Sequence, residues 1–152
     1  MSALGFPDGG DGPRGLEASR AAATVRRLAG DPPSPYETAY GFSRAVCAGP
    51  FILIGGTTSV DPFGFVIGVT PYEQAAEVLR KLLRELERAG GEVGDVVALR
   101  VYVTDISRAD EVGRAFGEVF AEVRPLLTMV EVSALIDPRM LVEIELTAYR
   151  PV

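Results

Sequence analysis

The sequence predicts an α+β domain in which a mixed sheet of about six strands carries two helices on one of its faces. Three observations predict it. Residues 70–91 form a capped helix with a single leucine stripe, residues 96–124 read as a strand followed by a second one-sided helix, and residues 128–148 hold two runs of apolar/polar alternation. Helices that are apolar on one side only cover one face of a sheet, so the other face has nothing in the chain to pack against. An oligomer is the natural solution.

The 152 residues and 47% hydrophobic content suffice for one packed domain. Residues 1–33 are rich in Gly and Pro around a short helical stretch, Leu16–Leu28, and read as an N-terminal extension that is flexible or covers a surface. The domain proper is expected over residues 34–152. Ser34-Pro35-Tyr36 is a stiff start, Ser43–Ala48 reads as a strand, Ala48-Gly49-Pro50 as a turn, and Phe51–Thr58 as a second strand. Gly55-Gly56 inside that strand marks either a bulge where a ligand or another backbone comes close, or a bend in a curved sheet. Past the turn Val60–Gly64, Phe65–Gly68 reads as a short third strand.

Thr70 as N-cap, Pro71 at the first helical position and Glu73 completing a capping box open the first helix, and Gly90-Gly91 stops it. Leu79, Leu82, Leu83 and Leu86 form its apolar stripe, with Arg80, Lys81, Arg84, Glu85, Glu87 and Arg88 covering the other side. Val96–Thr104 alternates as a strand. Asp105 or Ser107 caps the second helix, whose buried side is Val112, Phe116, Val119, Phe120 and Val123 and which ends before Pro125. Thr128–Leu135 and Val142–Ala148, joined by the turn Ile136–Arg139, read as an antiparallel hairpin. Their polar sides carry Glu131, Glu143 and Glu145, which are either solvated or placed for chemistry. Arg100 and Tyr102 alternate onto a partly polar face in the same way.

A net charge of −6 and a pI near 4.7 argue against a general phosphate-backbone binder. Cys47 is the only cysteine, which excludes an intrachain disulfide and a cysteine-rich metal site. The composition fits the cytoplasm, and neither a membrane span nor a secretory leader is read. The absence of histidine removes Ser-His-Asp and Cys-His catalysis, the HExxH zinc site and the usual imidazole acid/base. An enzyme made from this chain works with carboxylates, Tyr, Arg, hydroxyls, backbone groups and water.

The order of elements, together with Ser34-Pro35-Tyr36, F-I-L-I-G-G, A-G-G-E-V-G-D-V-V, V-Y-V-T-D-I and R-P…T-M-V-E-V…L-V-E-I-E, resembles the Rid family of RidA/YjgF proteins, reactive intermediate deaminases also called L-PSP endoribonucleases. The resemblance spans roughly Pro33–Arg150. It implies a chorismate-mutase-like fold and a homotrimer whose sheets form a central barrel, with clefts between adjacent subunits. It also implies hydrolysis of reactive enamines or imines, with release of ammonia and no cofactor. Carried over by position, the cleft tyrosine of the family is Tyr36 and the glutamate that positions or activates water is Glu143. The arginine that grips the substrate carboxylate is not matched, because Leu127 stands in its place. The S-G-Q element is Gly55-Gly56-Thr57 here and keeps only its glycine, at Gly56.

Leu in place of Arg removes a bidentate clamp and leaves apolar area. A buried carboxylate without a partner is heavily penalised, so free 2-iminopropanoate is not the expected substrate. Arg44 and Arg100, on neighbouring strands, either enter the cleft as replacements or are ordinary surface residues. The expected reaction is hydrolytic deamination of an enamine or imine. Glu143 is its catalytic group, Tyr36 or Thr128 bonds the substrate, and backbone N–H groups near Gly56 and Thr57 meet developing charge. Leu126, Leu127 and Met129 line the cleft. The alternative is a non-catalytic trimer that binds a small metabolite or a partner protein, and endoribonuclease activity is the weakest reading. No metal site and no nucleic-acid or membrane partner are expected.

Overall fold

A single six-stranded sheet with the order β1-β2-β3-β6-β4-β5 organises the molecule, whose computed structural model describes residues 24–151. The strands are β1 Val25–Leu28, β2 Ala45–Ala48, β3 Phe51–Thr57, β4 Val96–Val103, β5 Leu126–Glu131 and β6 Val142–Tyr149. The α-helices are α1 Pro35–Tyr40, α2 Pro71–Ala89 and α3 Ala109–Phe120. All neighbouring strands run antiparallel except β4 and β5, which are parallel.

Strand periodicity decides which face each side chain occupies. On β6, Val142, Ile144, Leu146 and Ala148 are buried, and they share one core with Leu79, Leu82 and Leu86 of α2 and Val112 and Phe120 of α3. Removing each such leucine or phenylalanine from water stabilises the fold by about 1.5–3 kcal/mol. Helix α2 forms as its sequence dictates: the Thr70 hydroxyl accepts from the Glu73 N–H, the Glu73 carboxylate accepts from the N–H groups of Val69 and Thr70, and Gly90 closes the helix at φ +96°. Ahead of α3, Asp105 accepts from the Ser107 N–H and caps a short 3-10 turn, Ile106–Arg108, that runs into the helix.

Among the described residues, no helix covers the opposite face. Phe51, Leu53 and Tyr149 are more than 40% exposed there, beside Arg100, Tyr102, Glu143 and Glu145. Within the described residues the sheet is therefore one-sided, as the two amphipathic helices require.

Four local expectations are corrected. The two alternating runs near the C-terminus are not a hairpin, since β4 lies between β5 and β6 and pairs with both. Alternation sets a strand's face and not its partner, and α3 supplies the crossover that lets β4 and β5 run parallel. Val25–Leu28, read as the end of a helix, is instead edge strand β1 paired with Ala45–Ala48, so the sheet begins upstream of residue 34. Ladder hydrogen bonds outweigh local helix propensity there; residues 16–23 of the Leu16–Leu28 stretch lie outside the described residues. Phe65–Gly68 contributes one isolated bridge, Val60 to Val66, and the sixth strand is β1. Finally, Ser34-Pro35-Tyr36-Glu37 opens a short helix, α1, with the Glu37 carboxylate accepting from the N–H groups of Ser34 and Gly30.

Candidate functional site

The register of β3 against β6 slips between Ile54 and Thr57, so Gly55-Gly56 is a β-bulge. Glu143, on the open side of β6, lies against this bulge. A Cβ placed on Gly56 would stand 2.2 Å from Glu143 Oε1, a distance that real Cβ atoms essentially never show. Glycine at this position makes room for the carboxylate, which is the close approach that the paired glycines signal in the sequence. Burial pushes the Glu143 carboxyl up from the ordinary carboxylate range; the positive charge of Arg44 opposes this and the negative charge of Glu145 adds to it.

Arg44, at the foot of β2, holds the bulge from the side. Its Nη1 donates to the Gly56 carbonyl at 3.0 Å and to Thr57 Oγ1 at 2.9 Å. Thr57 is buried, pairs with Ile144 on the core side, and donates its hydroxyl to the Gly55 carbonyl at 2.9 Å. Further along the same open face, Arg100 donates to Glu145 Oε1 at 3.0 Å, and the Tyr102 hydroxyl donates to the same oxygen at 3.3 Å. Burial and then the Glu145 charge raise the Tyr102 phenol above its ordinary value. Arg44, Leu53, Gly55, Arg100, Glu145 and Thr147 border a cavity of about 330 Å³, with Glu143 two residues along β6 from its wall. Glu143, Gly56, Thr57, Arg44 and Arg100 are thus drawn to one region of the sheet.

The remaining candidates, Thr128 apart, are elsewhere. Leu127 and Met129 pair with Leu99 and Val101, which places them on the helix side of edge strand β5, and Met129 packs against the core. Thr128 pairs with Arg100 and shares the open face. Leu126 and Leu127 are both exposed. Tyr36 sits on α1, 47% exposed and stacked on Tyr40 with ring centroids 5.4 Å apart, and it does not line the cavity. Glu143 and Leu127 therefore lie on opposite faces of one protomer's sheet.

The sequence alone does not point to one contributor. Lys81, placed by helical spacing on the solvated side of α2, reaches over the bulge segment and donates to the carbonyls of Thr58 and Val60 at 2.6 and 2.7 Å. Burial, and then the charge of Arg44, pull its ammonium down to about 8. The signal available beforehand is its rarity, for it is the single lysine in a chain that otherwise uses arginine. Among the described residues, no group of three or more His, Cys, Asp or Glu side chains is arranged to hold a metal ion. No helix among them is long and apolar enough to cross a membrane.

The mixed six-stranded sheet with its helices is an α+β fold. The Endoribonuclease L-PSP family profile matches residues 33–150. An uncharacterized protein of Streptomyces coelicolor is 36% identical over 117 residues, 77% of this chain and 87% of its own length. A RutC family protein of Pyrococcus horikoshii is 34% identical, over 72% of this chain and 86% of its own. The crystal structure of a Mycobacterium tuberculosis member of the YjgF/YER057c/UK114 family superposes with a TM-score of 0.74 at 41% identity, covering 83% of this chain and 99% of that one. The chain belongs to the YjgF/L-PSP family, the Rid family that its sequence motifs resemble.

Proposed function

We propose that the protein is a hydrolase of reactive imines or enamines that assembles as a homotrimer, with its working clefts between subunits. The observation that carries this reading is the Glu143 carboxyl, half-buried over Gly56 and raised in pKa. A carboxyl poised nearer neutrality is suited to both halves of the reaction. Glu143 takes one proton from water as the oxygen adds to the C=N carbon and passes it to the nitrogen, giving a carbinolamine. It then takes the carbinolamine hydroxyl proton and delivers it to the nitrogen as the C=O forms and the C–N bond breaks. The products are ammonia and a carbonyl compound. An enamine enters by first tautomerising to its imine. Backbone N–H groups of the bulge and the Thr128 hydroxyl are the candidate partners for the substrate.

The same geometry supports the assembly. Within one protomer Glu143 and Leu127 occupy opposite faces, and a second copy on the open face brings an edge strand's Leu127 to a neighbour's Glu143. The exposed Phe51, Leu53 and Tyr149 supply the apolar area for that contact. Leu127 in the carboxylate-gripping position favours an imine without a carboxylate over free 2-iminopropanoate.

Ammonia release from freshly generated 2-aminoacrylate and from benzophenone imine, by the wild type and Leu127→Arg, tests the proposal. The expected result is wild-type turnover of the carboxylate-free imine and a gain on 2-aminoacrylate in Leu127→Arg. Inactivity of both proteins on both compounds would overturn it. Leu127 also favours the second reading, a trimer that binds a small apolar metabolite, and tight binding of benzophenone imine without ammonia release would select it.

A further inference from the structure

The bulge that seats Glu143 is not held by a regular ladder. Between Ile54 and Thr57 the register with β6 is broken, and the chain then leaves the sheet through Thr58, Ser59 and Val60. Two cations take over where the ladder stops. Arg44 holds the Gly56 carbonyl and the Thr57 hydroxyl, and Lys81 holds the carbonyls of Thr58 and Val60. Ser59, between those two carbonyls, is fully buried, and its own carbonyl accepts from the Ile67 N–H at 2.9 Å. Lys81 therefore ties α2, a rigid and well-capped helix, to the segment whose placement decides where Gly56 lies. Gly56 in turn sets the space left for the Glu143 carboxylate.

We infer that Lys81 is a positioning residue for Glu143: by clamping Thr58 and Val60 to α2 it fixes the bulge beneath the carboxylate. The inference rests on the hydrolase reading for its kinetic consequence, though not for its structural one. A charged ammonium makes stronger bonds to carbonyls than a neutral amine does, so the clamp weakens as Lys81 loses its proton. The charges facing Lys81 are Arg44 from β2's foot and Glu77, Arg80 and Arg84 on α2 itself. Burial and Arg44 are the leading influences, and they bring the loss of the proton to about 8.

Because Lys81 is the only lysine, selective ¹³C-lysine labelling of the full-length protein gives one side-chain resonance to titrate. The companion readout is the carboxyl titration of Glu143, assigned by its disappearance in Glu143→Gln. Lys81→Met is expected to shift the Glu143 titration and to speed amide exchange over residues 56–60. On the imine that the wild type turns over, 2-aminoacrylate or benzophenone imine, it should lower kcat about 10-fold or more with KM little changed. Lys81→Arg, which keeps a charge that does not titrate, is expected to restore the Glu143 titration and to remove an alkaline fall in kcat centred near pH 8.

An unchanged Glu143 titration and unchanged exchange in folded Lys81→Met would overturn the inference. So would a loss in Lys81→Met that Lys81→Arg fails to rescue in either readout. If neither the wild type nor Leu127→Arg releases ammonia from either compound while Lys81→Met still moves the Glu143 titration, the positioning role stands and the hydrolase reading falls.

Discussion

Gly56→Ala probes the contact between the bulge and the carboxylate directly. The added Cβ would meet Glu143 Oε1 at 2.2 Å and Cδ at 3.1 Å, whereas ordinary van der Waals contact begins at 3.4 Å. The difference, 3.4 minus 2.2 Å, obliges the carboxylate to retreat by about 1.2 Å. Glu143 is flexible, so the retreat is by side-chain rotation and the fold should lose no more than about 1 kcal/mol. Catalysis is more sensitive, since a misplacement of about 1 Å costs on the order of 100-fold. The control is Gly55→Ala one residue earlier, where a Cβ would meet only backbone carbonyls, that of Arg44 at 3.6 Å and that of Ser43 at 3.9 Å, both ordinary contacts. Carboxyl NMR supplies a substrate-independent assay. Moving Glu143 outward should bring its pKa down towards the usual carboxylate range, because burial is the main cause of its rise. A Gly56→Ala protein that kept the wild-type Glu143 titration and the wild-type kcat would show that the bulge does not set the place of the carboxylate.

Other perturbations have equally definite outcomes. Glu143 has a raised folded pKa, so ionising it costs folding stability as pH rises through that value. Glu143→Gln should therefore raise Tm at pH 7, with the gain shrinking in thermal melts at progressively lower pH. Leu79→Ala empties part of a fully buried core site and should cost about 2–5 kcal/mol in chemical denaturation. Glu37→Ala removes the acceptor for the N–H groups of Gly30 and Ser34, and should cost about 1–3 kcal/mol and speed amide exchange at both.

The two principal helices, the faces of β6 and, from Leu99 onward, those of β4 are legible in the sequence because each depends on local pattern. On β5, by contrast, Glu131, expected on the polar side with Glu143 and Glu145, pairs with buried Val103 on the helix side, and Val130 pairs with Tyr102 on the open face. The Thr70-Pro71-Glu73 capping box and the alternation of Val142, Ile144, Leu146 and Ala148 are sufficient by themselves. Strand partners are not legible, since nothing in the composition of Thr128–Leu135 says that it pairs with β4 and not β6. Val25–Leu28 reads locally as helix because its strand exists only through pairing with Ala45–Ala48. At the site, Gly55-Gly56 announces the bulge, and Glu143 is visible through the family motif. Lys81 is hidden: helical spacing places its Cα on the polar side of α2, and only the three-dimensional path of Thr58–Val60 brings carbonyls to its ammonium. Leu127 is marked by its departure from the motif, but its place on the helix side of β5 follows from the parallel register with Leu99.

The hydrolase proposal stands or falls on ammonia release by Glu143→Gln beside the wild type, on whichever of 2-aminoacrylate and benzophenone imine the wild type hydrolyses. Glutamine keeps the shape and hydrogen-bonding reach of the side chain but can neither take nor return a proton. A fall in kcat of about 100-fold or more is expected, with assembly and substrate affinity retained. Turnover equal to that of the wild type would remove Glu143 from the chemistry and leave the proposed mechanism without its proton carrier.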